Sequence, residues 1–498
     1  HGRYYKEGAW QWQRPYLFCT TEDLFTQSFV LPYLFPMLEN AGAIVACPRE
    51  RDYQTHEAVV DNDTPNRQGH YAETTQADAQ WQASADSTGF ASTGALLNDT
   101  VHPFQSGTYR SITAVNRRTQ LANATWTPNI PAAGRYAVYV SYATRPNSVP
   151  DARYTVIHKG GRTNFTVNQQ MGGGTWVYLG TFDFAQGTEG RVVLTNQSDH
   201  RGIITADAVR FGGGVGQTER GIAGTSGLPR YLEAARYYAQ WAGIPDSLVN
   251  TTASTNDYAD DLRVRGNMLN YLAAGSPYVP NKSGQKVPFE LSLAIHSDAG
   301  VHTDQSIYGS LAISTTQDGE GNTNYISGLS RQASSDFAQL LLQTLTTDVR
   351  NTFKVDWTRR EHWDRNYAET RMPDVPSAIL ETMSHQNFAD MRYGHDPLFK
   401  FTLARAVYKS ILRFVNYEHG IKQYIVQPLA PHAFSAQLSA DASQVRLTWR
   451  PTTDSLETTA VPTGYIIYTR VDNEAFDNGL PVGNVTEYTL PISAGRTY

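Results

Sequence analysis

Between residues 81 and 214 the hydrophobic pattern changes period, and this constrains the fold more than any other feature of the chain. Arg135-Tyr136-Ala137-Val138-Tyr139-Val140-Ser141-Tyr142, Trp176-Val177-Tyr178-Leu179 and Arg191-Val192-Val193-Leu194 read as strands with period-two alternation. Gly172-Gly173-Gly174 and Gly212-Gly213-Gly214 supply turns between such strands. The pattern is that of an all-β sandwich.

On either side the chain alternates helix and strand. Thr20 or Thr21 can cap a helix whose first turn holds Glu22 and Asp23, where the helix dipole favours acids. Leu24, Leu31, Leu34 and Leu38 give it an apolar face, Asn40-Ala41-Gly42 stops it, and residues 43–47 read as a short buried strand. Pro32 and Pro36 predict a kink or an early break. After the β region, a helix is expected over 228–242, strands over 287–296 and 309–315, and a long amphipathic helix over 330–353. A buried strand, 377–380, ends at Glu381, and a last helix spans 397–417. Such alternation means α/β. The simplest organisation is an α/β domain (1–78 and 217–421) split by a β-sandwich insertion (79–216), with 61–80 a polar linker. From about 424 the pattern is β again, with Val445 to Trp449 and Tyr465 to Tyr468 as strands, so 422–498 forms a separate unit.

At 498 residues the chain exceeds one ordinary core. A net charge of -6 without a dense Lys/Arg run argues against nucleic-acid binding. The longest apolar region, Leu24 to Ala46, is broken by Gln27, Pro32, Pro36 and Glu39, a poor membrane span. No signal peptide is visible; the abrupt start at His1 and the ending Gly495-Arg496-Thr497-Tyr498 set the expectation of a chain cut at its C-terminus and incomplete at its N-terminus. Cys19 and Cys47 flank the first helix-strand unit, and a disulfide or two buried thiols both suit that placement.

Four residues carry the chemistry: His1, Glu22, His296 and Glu381. On the α/β reading each lies at or just after the C-terminal end of a strand, or in the first helical turn beyond one, where open α/β sheets place their sites. Two histidines and a carboxylate suit a catalytic zinc with an open fourth position, and a further carboxylate can move the water's proton. Spacing alone does not establish this, because these residues form no short metal motif; taken singly, a histidine after a strand is more often structural, and an acid at a helix start more often complements the dipole. His302, His362 and His395 are alternative ligands that read better as hydrogen-bonded loop residues.

In these positions the chain resembles the zinc-dependent N-acetylmuramoyl-L-alanine amidases of the amidase 3 family. His1-Gly2 looks like the His-Gly pair of the family's first loop. Glu22 with Pro36-Met37-Leu38-Glu39-Asn40-Ala41-Gly42-Ala43 and Val45 looks like its helix-strand unit, and Cys47-Pro48-Arg49 stands at that unit's end. Leu293-Ala294-Ile295-His296-Ser297-Asp298-Ala299-Gly300, followed by Ile307-Tyr308-Gly309, is similar to its third element. Arg371-Met372-Pro373 and Ala378-Ile379-Leu380-Glu381-Thr382-Met383-Ser384-His385-Gln386-Asn387 are similar to its fourth. The likeness covers roughly 1–60 and 225–418, and the four motifs occur in family order. It implies that His1, Glu22 and His296 bind one zinc ion and that Glu381 is general base and then acid. The substrate would be the bond between N-acetylmuramic acid and L-alanine in bacterial peptidoglycan, outside the cytoplasm. Asp298, Arg371, Asn387 and His385 are candidates for orienting substrate. Met383-Ser384 stands where the family has Gly-Phe, which predicts different packing beside Glu381; the α-amine of His1, if this is the mature terminus, could also reach the metal.

The β insertion resembles the golvesin C-terminal-like module found in proteins called xanthan lyases, through His158-Lys159-Gly160-Gly161, Val167-Asn168-Gln169-Gln170, Gly173-Gly174-Thr175-Trp176-Val177-Tyr178-Leu179-Gly180 and Ala206-Asp207-Ala208-Val209-Arg210-Phe211. The resemblance implies carbohydrate binding, with Tyr178 a candidate for stacking on sugar and Trp176 a better candidate for core. The last unit resembles an incomplete fibronectin type III domain, implying a spacer. Competing readings are a zinc metallopeptidase or carboxypeptidase-like enzyme, a polysaccharide lyase, for which the sequence shows no motif, and a non-catalytic wall-binding protein.

Overall fold

The computed structural model describes residues 1–63, 68–85, 88–91 and 96–498, and most of its elements are β-strands. The chain opens with an antiparallel hairpin, Arg3–Lys6 against Ala9–Trp12. Its turn residues Glu7 and Gly8 have φ of 51° and 84°, the left-handed pair of a type I′ turn, whose twist matches the strands it joins. Arg3 lies opposite Trp12, so Gln13 and Arg14 return beside His1. Helix Glu22–Phe29 follows, with extended Thr21 as N-cap and both acids in its first turn. At Val30–Leu34, which holds Pro32, the helix widens into a π turn and resumes as Phe35–Asn40. This is the kink expected of a proline, which cannot donate and crowds the preceding turn.

Residues 43–47 are not a strand. They pair with nothing regular, and Ile44 is 50 % exposed. The neighbouring sheet ends at strand Ser292–Asp298, and both segments border one cavity instead of meeting across a ladder. Cys19 and Cys47 are free thiols. Cys19 is exposed in a tight turn and Cys47 only half-buried, so neither the disulfide nor the pair of buried thiols is present.

Residues 58–211 hold a β-sandwich. One sheet orders Gly161–Val167, Ala152–His158, Arg191–Thr195, Asn123–Pro128 and Gly69–Thr74; the other orders Val177–Phe184, Gly134–Val140, Val209–Phe211 and Ala58–Val60. All neighbours are antiparallel. Trp126, Tyr154 and Val192 from the first sheet and Tyr136, Val138 and Phe211 from the second fill one buried core. Burial alternates along Asn123–Pro128, as period two requires. Strands Ala58–Val60 and Gly69–Thr74 lie ahead of the boundary expected at 79. The stretch 61–80, read as a linker, therefore contributes a strand; its residues 64–67 lie outside the described residues. Gly69–Thr74 alternates between exposed and half-buried positions, so its composition is polar although its backbone is paired. Ala58–Val60 pairs with Val209–Phe211, which sets the two ends of the sandwich side by side.

A second sheet system follows. Its order is Ser292–Asp298, Ser377–Ser384, Ser310–Ser314, Arg359–Asp364. The first two strands are parallel, the middle pair antiparallel, and the last pair parallel. Helix Gln332–Phe353 makes the crossover that a parallel pair needs. With helix Pro397–Glu418 it buries Phe337, Leu341, Leu345, Phe399, Leu403 and Val407 against the sheet. Helix Asp257–Ala273, capped by Asn256, and strand Arg359–Asp364 were not expected. Residues 432–491 form a three-stranded antiparallel sheet and a separate strand pair, with Trp449 buried against Tyr465. Among the described residues, no helix is long and apolar enough to cross a membrane.

Candidate metal centre

Three side chains distant in sequence meet at one point. His1 precedes the hairpin, Glu22 opens the first helix, and His296 lies on the edge strand Ser292–Asp298. One ligand atom from each lies within 4.8 Å of the other two. His296 Nδ1 is 2.7 Å from Glu22 Oε1, and His1 Nε2 is 3.8 Å from the same oxygen. Glu22 and His296 are 4 % and 9 % exposed.

Other groups hold these three in place. His1 Nδ1 meets Gln13 Oε1 at 2.8 Å. The Arg14 guanidinium donates to His1 Nε2 at 3.1 Å and lies 3.2 Å from Glu22 Oε2. His296 Nε2 is 3.0 Å from Glu369 Oε2. Burial opposes charge on the His296, Glu22 and Glu369 side chains, but their neighbours' charges and hydrogen bonds win. Beside Glu369 and Glu22, the His296 imidazole is pushed up to about 10 against the effect of burial. The Glu22 carboxyl, against burial, is brought down to about 2 by its hydrogen bond to His296 and by the charges of His296 and Arg14. His296 and Arg265 likewise outweigh burial and hold Glu369 well below the usual carboxylate range. The carboxylates that favour a proton on His296 also favour a cation in its place.

Glu381 stands in register with His296 on the adjacent parallel strand. Its Oε2 is buried with no hydrogen-bond partner. Burial pushes its carboxyl up to about 8, with Glu22, Asp298 and Glu369 adding and His296 opposing. Two imidazoles, one carboxylate and an orphaned carboxylate oxygen beside them fit a divalent ion such as zinc.

The other expected residues divide. His385 is fully buried; its Nδ1 is 3.0 Å from the Ser297 carbonyl and its Nε2 has no partner. Burial lowers its pKa. Asp298 accepts from Ala299 and Gly300 and pairs with Arg360. Asn387 donates to the Ser306 carbonyl and Asp390 and accepts from the His302 amide, which ties down the loop after Asp298. Arg371 donates to Asn366. His302, His362 and His395 bond Ser306, Ser314 and the Phe18 carbonyl, outside the cluster. Gln13, Arg14, Arg265 and Glu369 escaped the sequence reading. Glu369 sits on the four-residue helix Ala368–Arg371, too short for any periodicity to mark it.

A cavity of about 690 Å³ runs from His1, Glu22 and His296 along the edge strand, lined by Leu34, Leu38, Leu293, Ile295, Ile411 and Val415 among others. In the sandwich, Trp176 packs on Phe90, Phe104 and Trp241 as core. Tyr178 is covered by the Arg51 guanidinium 3.7 Å from its ring centroid, so that face is not open for stacking.

The golvesin C-terminal domain family matches residues 69–213. A xanthan lyase from Bacillus sp. (strain GL1) is 37 % identical over 91 residues, 18 % of this chain and 10 % of that protein; the chain thus spans about a tenth of the length of that curated relative. Among solved structures, Paenibacillus xanthan lyase is similar over 31 % of this chain and 13 % of its own, at 27 % identity and a TM-score of 0.24. The CwlD amidase from Clostridioides difficile, in complex with the GerS lipoprotein, is similar over 34 % of this chain and 68 % of its own, at 15 % identity and a TM-score of 0.24.

Proposed function

We propose that this chain is an extracytoplasmic bacterial zinc hydrolase that cuts the amide between N-acetylmuramic acid and L-alanine in peptidoglycan. The reading rests on one observation: His1, Glu22 and His296 converge beside a buried, unpartnered oxygen of Glu381. These are the four positions that resemble the amidase motifs.

Zinc held by His1, Glu22 and His296 would supply a Lewis acid for the scissile carbonyl and for water. The chain's own residues do the rest. Glu381, with a carboxyl pushed up to about 8 by burial, sits near the neutral range in which one group can both take a proton from water and give it to the leaving nitrogen. On this reading residues 1–78 and 217–421 form the catalytic unit, the sandwich between them holds glycan, and the fibronectin-like residues beyond 422 are a spacer.

Metal content by mass spectrometry, for wild type and His296→Ala, tests the ligand set; digestion of peptidoglycan by wild type and Glu381→Gln tests the chemistry. The expected result is about one zinc per chain, lost in the first variant, and new N-terminal alanine released by wild type but slowed roughly 10²- to 10⁴-fold in the second. A wild type with neither zinc nor cleavage overturns the reading.

A further inference from the structure

The two histidines of the cluster are tied to each other by a buried chain of side chains that no sequence motif marks. From the His296 end, Nε2 meets Glu369 Oε2 at 3.0 Å, Arg265 donates to Glu369 Oε1 at 2.7 Å, and Arg265 also donates to Asp261 Oδ2 at 2.5 Å. Gln13 Nε2 then donates to Asp261 Oδ2 at 3.0 Å, and Gln13 Oε1 meets His1 Nδ1 at 2.8 Å. Asp261 is anchored in turn by the Ala235 amide. Its side chain is fully buried, and those of Arg265 and Glu369 are 13 % and 12 % exposed.

The chemistry of imidazole gives this chain a task. A neutral ring binds a metal through one nitrogen and carries its proton on the other, so whatever accepts that proton fixes both tautomer and orientation. His296 turns Nδ1 to Glu22 and His1, and Nε2 to Glu369. His1 turns Nε2 toward Glu22, where Arg14 also donates to it, and Nδ1 to the Gln13 side-chain oxygen at 2.8 Å, with Arg265 farther off at 3.5 Å. Each ring thus offers one nitrogen to the cluster and gives the other to the same network.

We propose that the Glu369–Arg265–Asp261–Gln13 network is a single positioning clamp that sets the tautomer and orientation of both His1 and His296 for metal binding. The inference rests on the zinc reading above. Glu369 accepts the Nε2 proton of His296, Gln13 accepts the Nδ1 proton of His1, and Arg265 with Asp261 holds the two acceptors in fixed relation. The amide of Glu369→Gln can accept from only one of its two neighbours. It must present N–H either to His296, which forces the proton onto Nδ1, or to Arg265, which breaks the clamp.

The test is zinc affinity, by competition with a coloured chelator, for wild type, Glu369→Gln and Gln13→Ala, together with nitrogen NMR of the histidine rings in the zinc-loaded proteins. Wild type should bind zinc with both rings coordinated through the nitrogens named above. Each variant should bind about 10- to 100-fold more weakly, with the ring pattern altered at both histidines in each; a change confined to the nearer ring would mean two separate contacts and overturn the single clamp. Wild-type binding with unchanged affinity and ring pattern in both variants overturns the clamp and leaves the metal reading standing. A wild type that takes up no zinc overturns the metal reading, and the clamp with it. If Glu369→Gln fails to fold, Gln13→Ala, at a half-buried position near the start of the chain, decides the matter alone.

Discussion

Gly2 shows how tightly the start of the chain is seated. A Cβ there would lie 2.5 Å from the Glu233 carbonyl group and 2.6 Å from an Arg49 nitrogen, and the carbonyl is backbone that cannot swing away. Gly2→Ala is expected to displace His1, weakening zinc uptake at least tenfold and destabilising the metal-free chain by about 1–3 kcal/mol; chelator competition and urea unfolding read the two effects separately. At this scale the sequence was informative where strands end. His296 and Glu381, at the ends of apolar runs, were legible and stand in register on neighbouring strands. Arg265, Glu369 and Gln13 were not, because an acid, a base and an amide on helix or loop surfaces look the same whether they face water or a buried imidazole. Arg371 and Asn387, candidates for orienting substrate, hydrogen-bond to Asn366 and to Ser306 and Asp390.

Among the elements, long periodic segments were read nearly to the residue. The helix expected over 330–353 is Gln332–Phe353, and that over 397–417 is Pro397–Glu418. Helix Asp257–Ala273 was missed because its first turns are acidic and Gly266 interrupts it. The strand expected at 43–47 was an over-reading: five apolar residues in a row need a ladder partner as well as β propensity. The sandwich carries its own testable strain. Asp61 is 3 % exposed and its Oδ2 has no partner. Burial first, then Asp207 and Asp63, pushes its carboxyl up to about 8, and burial takes Asp207 to about 7. An acid whose pKa rises on folding contributes stability that is whole below its unfolded value, near 4, and lost as pH climbs through the folded one. Asp61→Asn should therefore raise the melting temperature progressively from pH 4 to pH 8, by a gain of roughly 1–3 kcal/mol at the upper end. Thermal scans across that range check it; a pH-independent gain would contradict the argument.

For the whole molecule, the junction between the sandwich and the rest buries charged side chains beside an aromatic cluster that includes Trp176 and Trp241. Glu50, 1 % exposed, meets Arg210 from the last sandwich strand at 2.5 Å, accepts from Tyr139 at 2.6 Å, and takes the Arg51 and Asp52 amides. Nearby, Glu57 pairs with Arg230. Removing one partner of a buried pair leaves the other charged in a low dielectric, which costs about 3–5 kcal/mol. Glu50→Ala is expected to lose that much and to split a single calorimetric transition into two, as the sandwich and the α/β part uncouple. The junction also has a consequence for timing. Glu22 and His296 are 274 residues apart in sequence, and closing so long a loop in an unfolded chain is slow as well as entropically unfavourable. Once Ala58–Val60 has paired with Val209–Phe211, the intervening chain is a short folded bridge. A chain still emerging from the ribosome therefore carries His1 and Glu22 long before His296 is made, and pairing of the two ends of the sandwich shortens the path by which the three meet.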